Sequence, residues 1–232
     1  MAPRRPSRSK ELAARALALL EDAAVPADAA PMAAYMKHVQ SFLGVKKPRR
    51  VPIGRELAKE FAPQSPQELR AHVDALWSGE FRESRYVALD LLWRWRELTT
   101  LAELDWLIGL VQSGAWWDLV DELAVRPIGR LWELHRKDVS RAADRWIDDP
   151  DLWVRRVAII GQNKHKGATD TARLFRYAIE RGDESEFFIR KAIGWALREH
   201  AHHDPDTVRT FLARHGAKLS PLSQREAAKH LG

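Results

Sequence analysis

The sequence predicts an all-α fold: an α-solenoid of about six HEAT-like helical pairs, stacked into a curved superhelix with a concave face. Three observations predict it. No segment sustains the alternation of Val, Ile, Thr and aromatics that a strand needs. Proline and glycine mostly fall between stretches of helical period, where breakers belong. A short basic, alanine-containing stretch also recurs. RRVPIGREL (residues 49–57), RYVALDLL (85–92), VDELAVRP (120–127), RRVAIIGQ (155–162), RKAIGWAL (190–197) and QREAAKHL (224–231) align on Pro52, Ala88, Ala124, Ala158, Ala192 and Ala227, at steps of 36, 36, 34, 34 and 35 residues. Chance likeness among alanine-rich helices would not hold phase six times. A small residue at the shared position lets neighbouring helices approach closely.

The elements follow in order. Residues 1–10 are a basic arm, expected to be mobile, and residues 11–232 form a single repeat domain. ELAARALALLED opens the helical part. FLGVKKPRR places Lys46, Lys47, Arg49 and Arg50 around a proline where a helix begins, either a phosphate clamp or a solvated turn. Ser65-Pro66-Gln67-Glu68 has an N-cap, a proline at the first helical position and a capping-box glutamate. SGAWWDLVDELA, wound at about 100° per residue, gathers Trp116, Val120 and Leu123 into a core wedge, with Leu119 at its edge. Asp148, Asp149 and Asp151 around Pro150 are capping residues. The next helix buries Trp153, Val157 and Ile160, and FFIRKAIGWALREHAH buries Ile189, Ile193 and Ala196. Asp204-Pro205-Asp206 starts a further helix, and Ser223-Gln224-Arg225-Glu226 reads as a second capping box.

Lys+Arg is 38 against 32 Asp+Glu, a net charge of +6 with a pI near 9.7, which favours a polyanionic partner. The absence of cysteine excludes disulfides and thiolate metal sites. No apolar run approaches a membrane span and no secretory signal is visible, so a soluble, cytoplasmic monomer is expected. Ten tryptophans stand where about three would be ordinary for this length.

Several lie off the core faces. Trp117 and Asp121, four residues apart, share a flank away from the wedge. The plain reading is a tryptophan packed on the next repeat beside a solvated carboxylate. On the last long helix Lys191, Trp195, Arg198 and His202 share a second face. That face suits a nucleic-acid groove, with cations for phosphates and an aromatic plate for sugar or base, and equally a snorkelling, solvated surface. Arg156 and Asn163 share another flank, followed by Lys164 and Lys166. The HAHHD run ends a helix, where the macrodipole favours histidine, so no metal site is assigned. There is no HExxH, no P-loop and no GxGxxG.

One carboxylate beside aromatic planes, on a basic scaffold with no evident general acid, suits stabilisation of a developing cation. Cleaving a glycosidic bond passes through an oxocarbenium-like sugar. When the leaving base is already cationic, as an N3- or N7-alkylated purine is, no acid need protonate it. The fixed negative charge then interacts most strongly in the transition state.

Over about residues 31–230 the sequence resembles the bacterial DNA glycosylases built of HEAT-like repeats that excise alkylated purines (the AlkD-type enzymes). The likeness is carried by PMAAYMKHVQSFLGVKKPRR, SGAWWDLVD, DLWVRRVAI, EFFIRKAIGWALREHA and LSPLSQREAAKH. It implies a concave face that holds double-stranded DNA and hydrolysis of the N-glycosidic bond of 7-methylguanine, 3-methyladenine and bulkier adducts without flipping the base. It also implies no metal, nucleotide or other cofactor. Asp121 matches the catalytic aspartate, and Trp117 and Trp195 the tryptophans that contact the lesion's deoxyribose. Arg156 matches an arginine near the backbone at the lesion, Tyr35 a cleft tyrosine, and Lys164 and Arg198 basic residues of the DNA-facing surface. Lys46 departs from the pattern, since the best-known relatives carry an uncharged polar residue there. With Lys47, Lys166 and Lys191 added from charge and position, these are the expected DNA-binding residues. The rival is a non-catalytic HEAT-repeat DNA-binding or scaffold protein, which leaves a carboxylate in a cationic groove unexplained.

Overall fold

The computed structural model describes residues 7–231. They are helical, with no strand among them beyond one isolated bridge between Ser41 and Phe81. The all-α repeat expectation holds. The chain divides into two compact units, the first ending at Thr100 and the second beginning at Leu101.

In the first unit, α1 (Arg8–Asp22) buries Leu12, Ala16 and Leu20 at steps of four and packs on α3 (Lys47–Glu60), α4 (Pro66–Trp77) and α5 (Arg82–Arg94). It begins three residues before the expected start. Arg8 donates to Glu68 (2.8 Å) and the Ala62 carbonyl, and Ser9 Oγ lies 2.9 Å from His72 Nδ1. These contacts draw residues 8–10 of the expected basic arm into the helix, and residues 1–6 lie outside the described part. Ser65 caps α4 by accepting the Glu68 N–H, while the Glu68 carboxylate reaches the Gln64 N–H rather than the cap residue's own. Between α2 (Pro26–Tyr35) and α3 the chain is held by the fully buried Glu83. Its carboxylate accepts the N–H groups of Leu43, Gly44 and Val45. Gly44 is left-handed (φ 85°), and a Cβ there would meet the Val25 carbonyl at 2.1 Å.

The second unit contains α6 (Leu104–Gly114), α7 (Trp117–Leu123), α8 (Gly129–Leu134), α9 (Arg136–Trp146), α10 (Leu152–Ile160), α11 (Thr171–Glu180), α12 (Phe187–Ala201), α13 (Pro205–His215) and α14 (Pro221–Ala227). Helix α10 packs against α6, α7, α9 and α12, and α12 against α11, α13 and α14. The expected caps recur: Asp151 accepts the Trp153 N–H and Asp204 the Thr207 N–H. The last one moves. Ser220, not Ser223, caps α14. Ser223 is wholly buried inside that helix and donates to the Arg190 carbonyl.

The repeat positions fall one per repeat: Pro52 in α3, Ala88 in α5, Ala124 just past α7, Ala158 in α10, Ala192 in α12 and Ala227 in α14. The five alanines are at most 1% exposed, while Pro52 is exposed. Three bonds between repeats keep the same step. Arg156 reaches Asp121, Lys164 reaches Glu199 and Lys191 reaches Glu226, each 35 residues apart.

Candidate active site

The pair WW does not lie on one helix. α6 ends at Gly114, Ala115 is left-handed (φ 37°), and Trp116 is extended (φ −156°, ψ 145°) before α7 begins at Trp117. Trp116 therefore leaves the expected Val120–Leu123 wedge. Its ring lies 6.0 Å from Trp153 and 5.3 Å edge-on to Phe188, which is 4.9 Å from Trp153. Aromatic quadrupoles favour such tilted contacts. Leu119, Val120 and Leu123 do form the buried stripe. Trp117, half-buried, opens the helix, and Asp121 follows one turn later.

Helix α7 passes into a π-helical turn, Ala124–Ile128, that contains Pro127. Proline has no N–H for the carbonyl four residues back and its ring crowds that carbonyl, so the helix widens locally. The widening starts one turn after Asp121.

Asp121 is held by a bidentate arginine. Arg156 Nε donates to Oδ1 (2.7 Å) and Nη2 to Oδ2 (2.8 Å), while Nη1 donates to the Phe188 carbonyl (2.5 Å). The Arg156 side chain is 6% exposed and that of Asp121 18%. One guanidinium on α10 thus ties α7 to the first turn of α12. Burial pushes the Asp121 carboxyl above its ordinary value; the Arg156 hydrogen bonds and charge pull it back, and Asp118 adds to the rise. The planar guanidinium fork matches the two carboxylate oxygens, a geometry that favours the ionised form. Sequence matching put Arg156 near the DNA backbone; the structure turns its guanidinium inward to the carboxylate.

Trp195 is half-buried on α12, seven residues and so about two turns beyond Phe188 on the same face. Lys191 and Arg198 flank it on that face, and both reach Glu226 of α14. Lys191 Nζ lies 2.8 Å from Oε1, Arg198 is in close contact with Oε2, and Lys229 Nζ also lies 2.8 Å from Oε1. These cations, Lys191 first, hold the Glu226 carboxyl down to about 2. Lys164 pairs with Glu199 (3.1 Å), and Lys166 is exposed in a left-handed turn (φ 52°). In the first unit, Lys46 pairs with Asp28 (2.6 Å), Lys47 is exposed at the start of α3, and Tyr35 is 70% exposed at the end of α2. Arg50 turns inward, stacking 4.6 Å over Tyr86 and bonding Asp90.

The structure therefore groups Asp121 with Arg156, and Lys191 with Arg198. Sequence reasoning missed Glu226, taken for a cap, and the Phe188 carbonyl. The repeat period was the available signal for Glu226, because a charge 35 residues from Lys191 is one repeat away. The HAHHD run disperses. His200 is buried near Thr171 Oγ1 (3.1 Å) and His202 packs on His230. Among the described residues no group of three or more His, Asp or Glu could hold a metal ion.

The model of the family described as DNA alkylation repair enzyme matches residues 16–231. This chain belongs to that family. A solved structure from Enterococcus faecalis, described as a predicted DNA alkylation repair enzyme, matches with a TM-score of 0.81 and 33% identity, over 89% of this chain and 96% of its own. Another, smu.31 from Streptococcus mutans UA159, matches with a TM-score of 0.60 at 15% identity, over 80% of this chain and 99% of its own, a likeness of fold alone. No curated protein matches the chain. Family membership gives the chain a DNA repair role and makes DNA its partner. No helix among the described residues is long and apolar enough to cross a membrane.

Proposed function

We propose that this repair protein is a DNA glycosylase that hydrolyses the N-glycosidic bond of N3- or N7-alkylated purines in duplex DNA, without flipping the base or using a cofactor. The observation that carries the reading is the Arg156-clamped Asp121 carboxylate. For gripping DNA a carboxylate there is a disadvantage, since it repels phosphate. Burial also makes that charge costly to keep.

In the proposed reaction the C1′–N9 bond breaks heterolytically. Its electron pair passes to the alkylated purine, whose positive charge is cancelled as it leaves neutral. The sugar becomes an oxocarbenium ion. Asp121 faces it with a fixed negative charge, already oriented by Arg156, so little reorganisation is needed as charge develops. Trp117 and Trp195 offer their negative π faces to the same cation. Water adds at C1′ and its proton passes to solvent, leaving an abasic site. Lys164, Lys166, Lys191 and Arg198 of the second unit bind phosphates, as do Lys46 and Lys47 of the first, where Tyr35 also contacts DNA. Arg156 acts through Asp121 as a positioning residue. The test is release of 7-methylguanine from methylated duplex DNA by wild type and Asp121→Asn. Equal release by both removes Asp121 from the mechanism.

A further inference from the structure

We infer that Glu226 builds a phosphodiester site from three cations, Lys191, Arg198 and Lys229, and that Lys229 is therefore a DNA-contacting residue. This rests on reading the α12 face as DNA-facing.

A carboxylate that only stapled α14 to α12 would need one cation. Glu226 gathers three, two from α12 and one from the turn after α14. The group carries a surplus of two positive charges, and like charges this close raise each other's energy unless a further anion joins them. The carboxylate is the inner member, with its side chain 10% exposed, while Lys191 is 38% and Lys229 53% exposed. The ammonium groups thus keep donors toward solvent after satisfying Glu226. The helices are close-packed here, since a Cβ at Gly194 would meet Glu226 Cβ at 2.4 Å and the Ser223 carbonyl at 2.9 Å. The two helices touch beside Trp195. The geometry gives the cations a fixed spacing before DNA arrives, so less side-chain freedom is lost on binding. A phosphate of the backbone is the anion that fits the partner.

The experiment measures affinity for a short undamaged duplex across about 50–200 mM salt, for wild type, Lys229→Gln, Glu226→Gln and the double variant. Loss of one phosphate contact makes the slope of log affinity on log salt shallower by about 0.9. Lys229→Gln is expected to show that change, with binding at low salt about threefold to tenfold weaker. In the Glu226→Gln background most of the Lys229 effect is expected to vanish, because the lysine is no longer held in place. An unchanged slope in Lys229→Gln overturns the inference, as does an equal Lys229 effect in both backgrounds. If Glu226→Gln does not fold, the slope of Lys229→Gln, at an exposed position, decides alone. Release of 7-methylguanine is measured in parallel. A wild type that binds DNA but excises nothing, with the Lys229 slope change present, leaves the phosphate site standing and sinks the glycosylase reading alone. A wild type with no salt-dependent DNA binding sinks both.

Discussion

Arg156→Met removes the guanidinium and leaves a side chain of similar length. Three hydrogen bonds go: two to the Asp121 oxygens at 2.7 and 2.8 Å and one to the Phe188 carbonyl at 2.5 Å. Removing one partner of a buried ion pair costs about 3–5 kcal/mol, because the other charge stays buried and unpaired. Asp121 keeps some solvent access, its side chain being 18% exposed, and it can take up a proton. The expected loss is therefore near the lower end, about 3 kcal/mol, or about 10 °C in Tm for a chain this size. The loss should depend on pH. Burial already raises the folded carboxyl above its unfolded value, and losing Arg156 raises it further. Ionised Asp121 is then costlier in the folded chain than in the unfolded one. The deficit against wild type is small where Asp121 is protonated and grows as pH rises above the ordinary carboxylate range. Urea unfolding at several pH values, with Asp121→Asn and the double variant, reads this out. The double variant should be more stable than the summed single losses imply, by about 2 kcal/mol. Additive losses within about 0.5 kcal/mol, with no pH dependence, would refute the clamp.

Other consequences are checked more simply. Trp195→Ala should slow single-turnover excision about thirtyfold, the rate equivalent of about 2 kcal/mol for a desolvated cation–π contact, while thermal stability moves little because the ring is only half-buried. Excision needs the ionised Asp121, whose carboxyl is raised, so the acid limb of the single-turnover rate should lie above the ordinary aspartate value of 3.8; a limb at or below it contradicts the assignment. Glu226, held near 2 in the folded chain against an ordinary 4.5, contributes stability that is present above the ordinary value and lost as pH falls toward 2. Glu226→Gln should therefore cost about 2 kcal/mol at pH 7 and nothing near pH 2, as read by chemical denaturation.

Much of the fold was legible because it rests on local pattern. The stripes Trp153–Val157–Ile160 and Ile189–Ile193–Ala196 are buried as their spacing requires, and Ser65, Asp151 and Asp204 cap where capping chemistry puts them. The repeat alanines mark helices that do pack closely. What was illegible depends on groups far apart in the chain. Nothing local reveals that Ala115 turns left-handed and frees Trp116 to join Trp153 and Phe188. Nothing near Arg156 indicates that its fork turns toward Asp121 rather than outward, because both orientations suit an amphipathic helix. Ser223 and Glu226 imitate a capping box while serving α12 instead. Trp117 drew notice because a large aromatic off the core face is unusual, and Asp121 because it lies one turn from it. Their supporting residues are ordinary residue types in ordinary places, and only the 35-residue period links them.

The most direct test of the central claim is single-turnover release of 7-methylguanine from methylated duplex DNA, with binding of undamaged duplex measured beside it, for wild type and Asp121→Asn. Wild type should release the base. Asp121→Asn should be slower by about 100-fold or more, the scale on which a preorganised charge acts, while binding undamaged DNA at least as tightly because a phosphate-repelling charge has gone. Release by the variant within a factor of about two of wild type, on a scale where 1.4 kcal/mol is tenfold, would contradict the account.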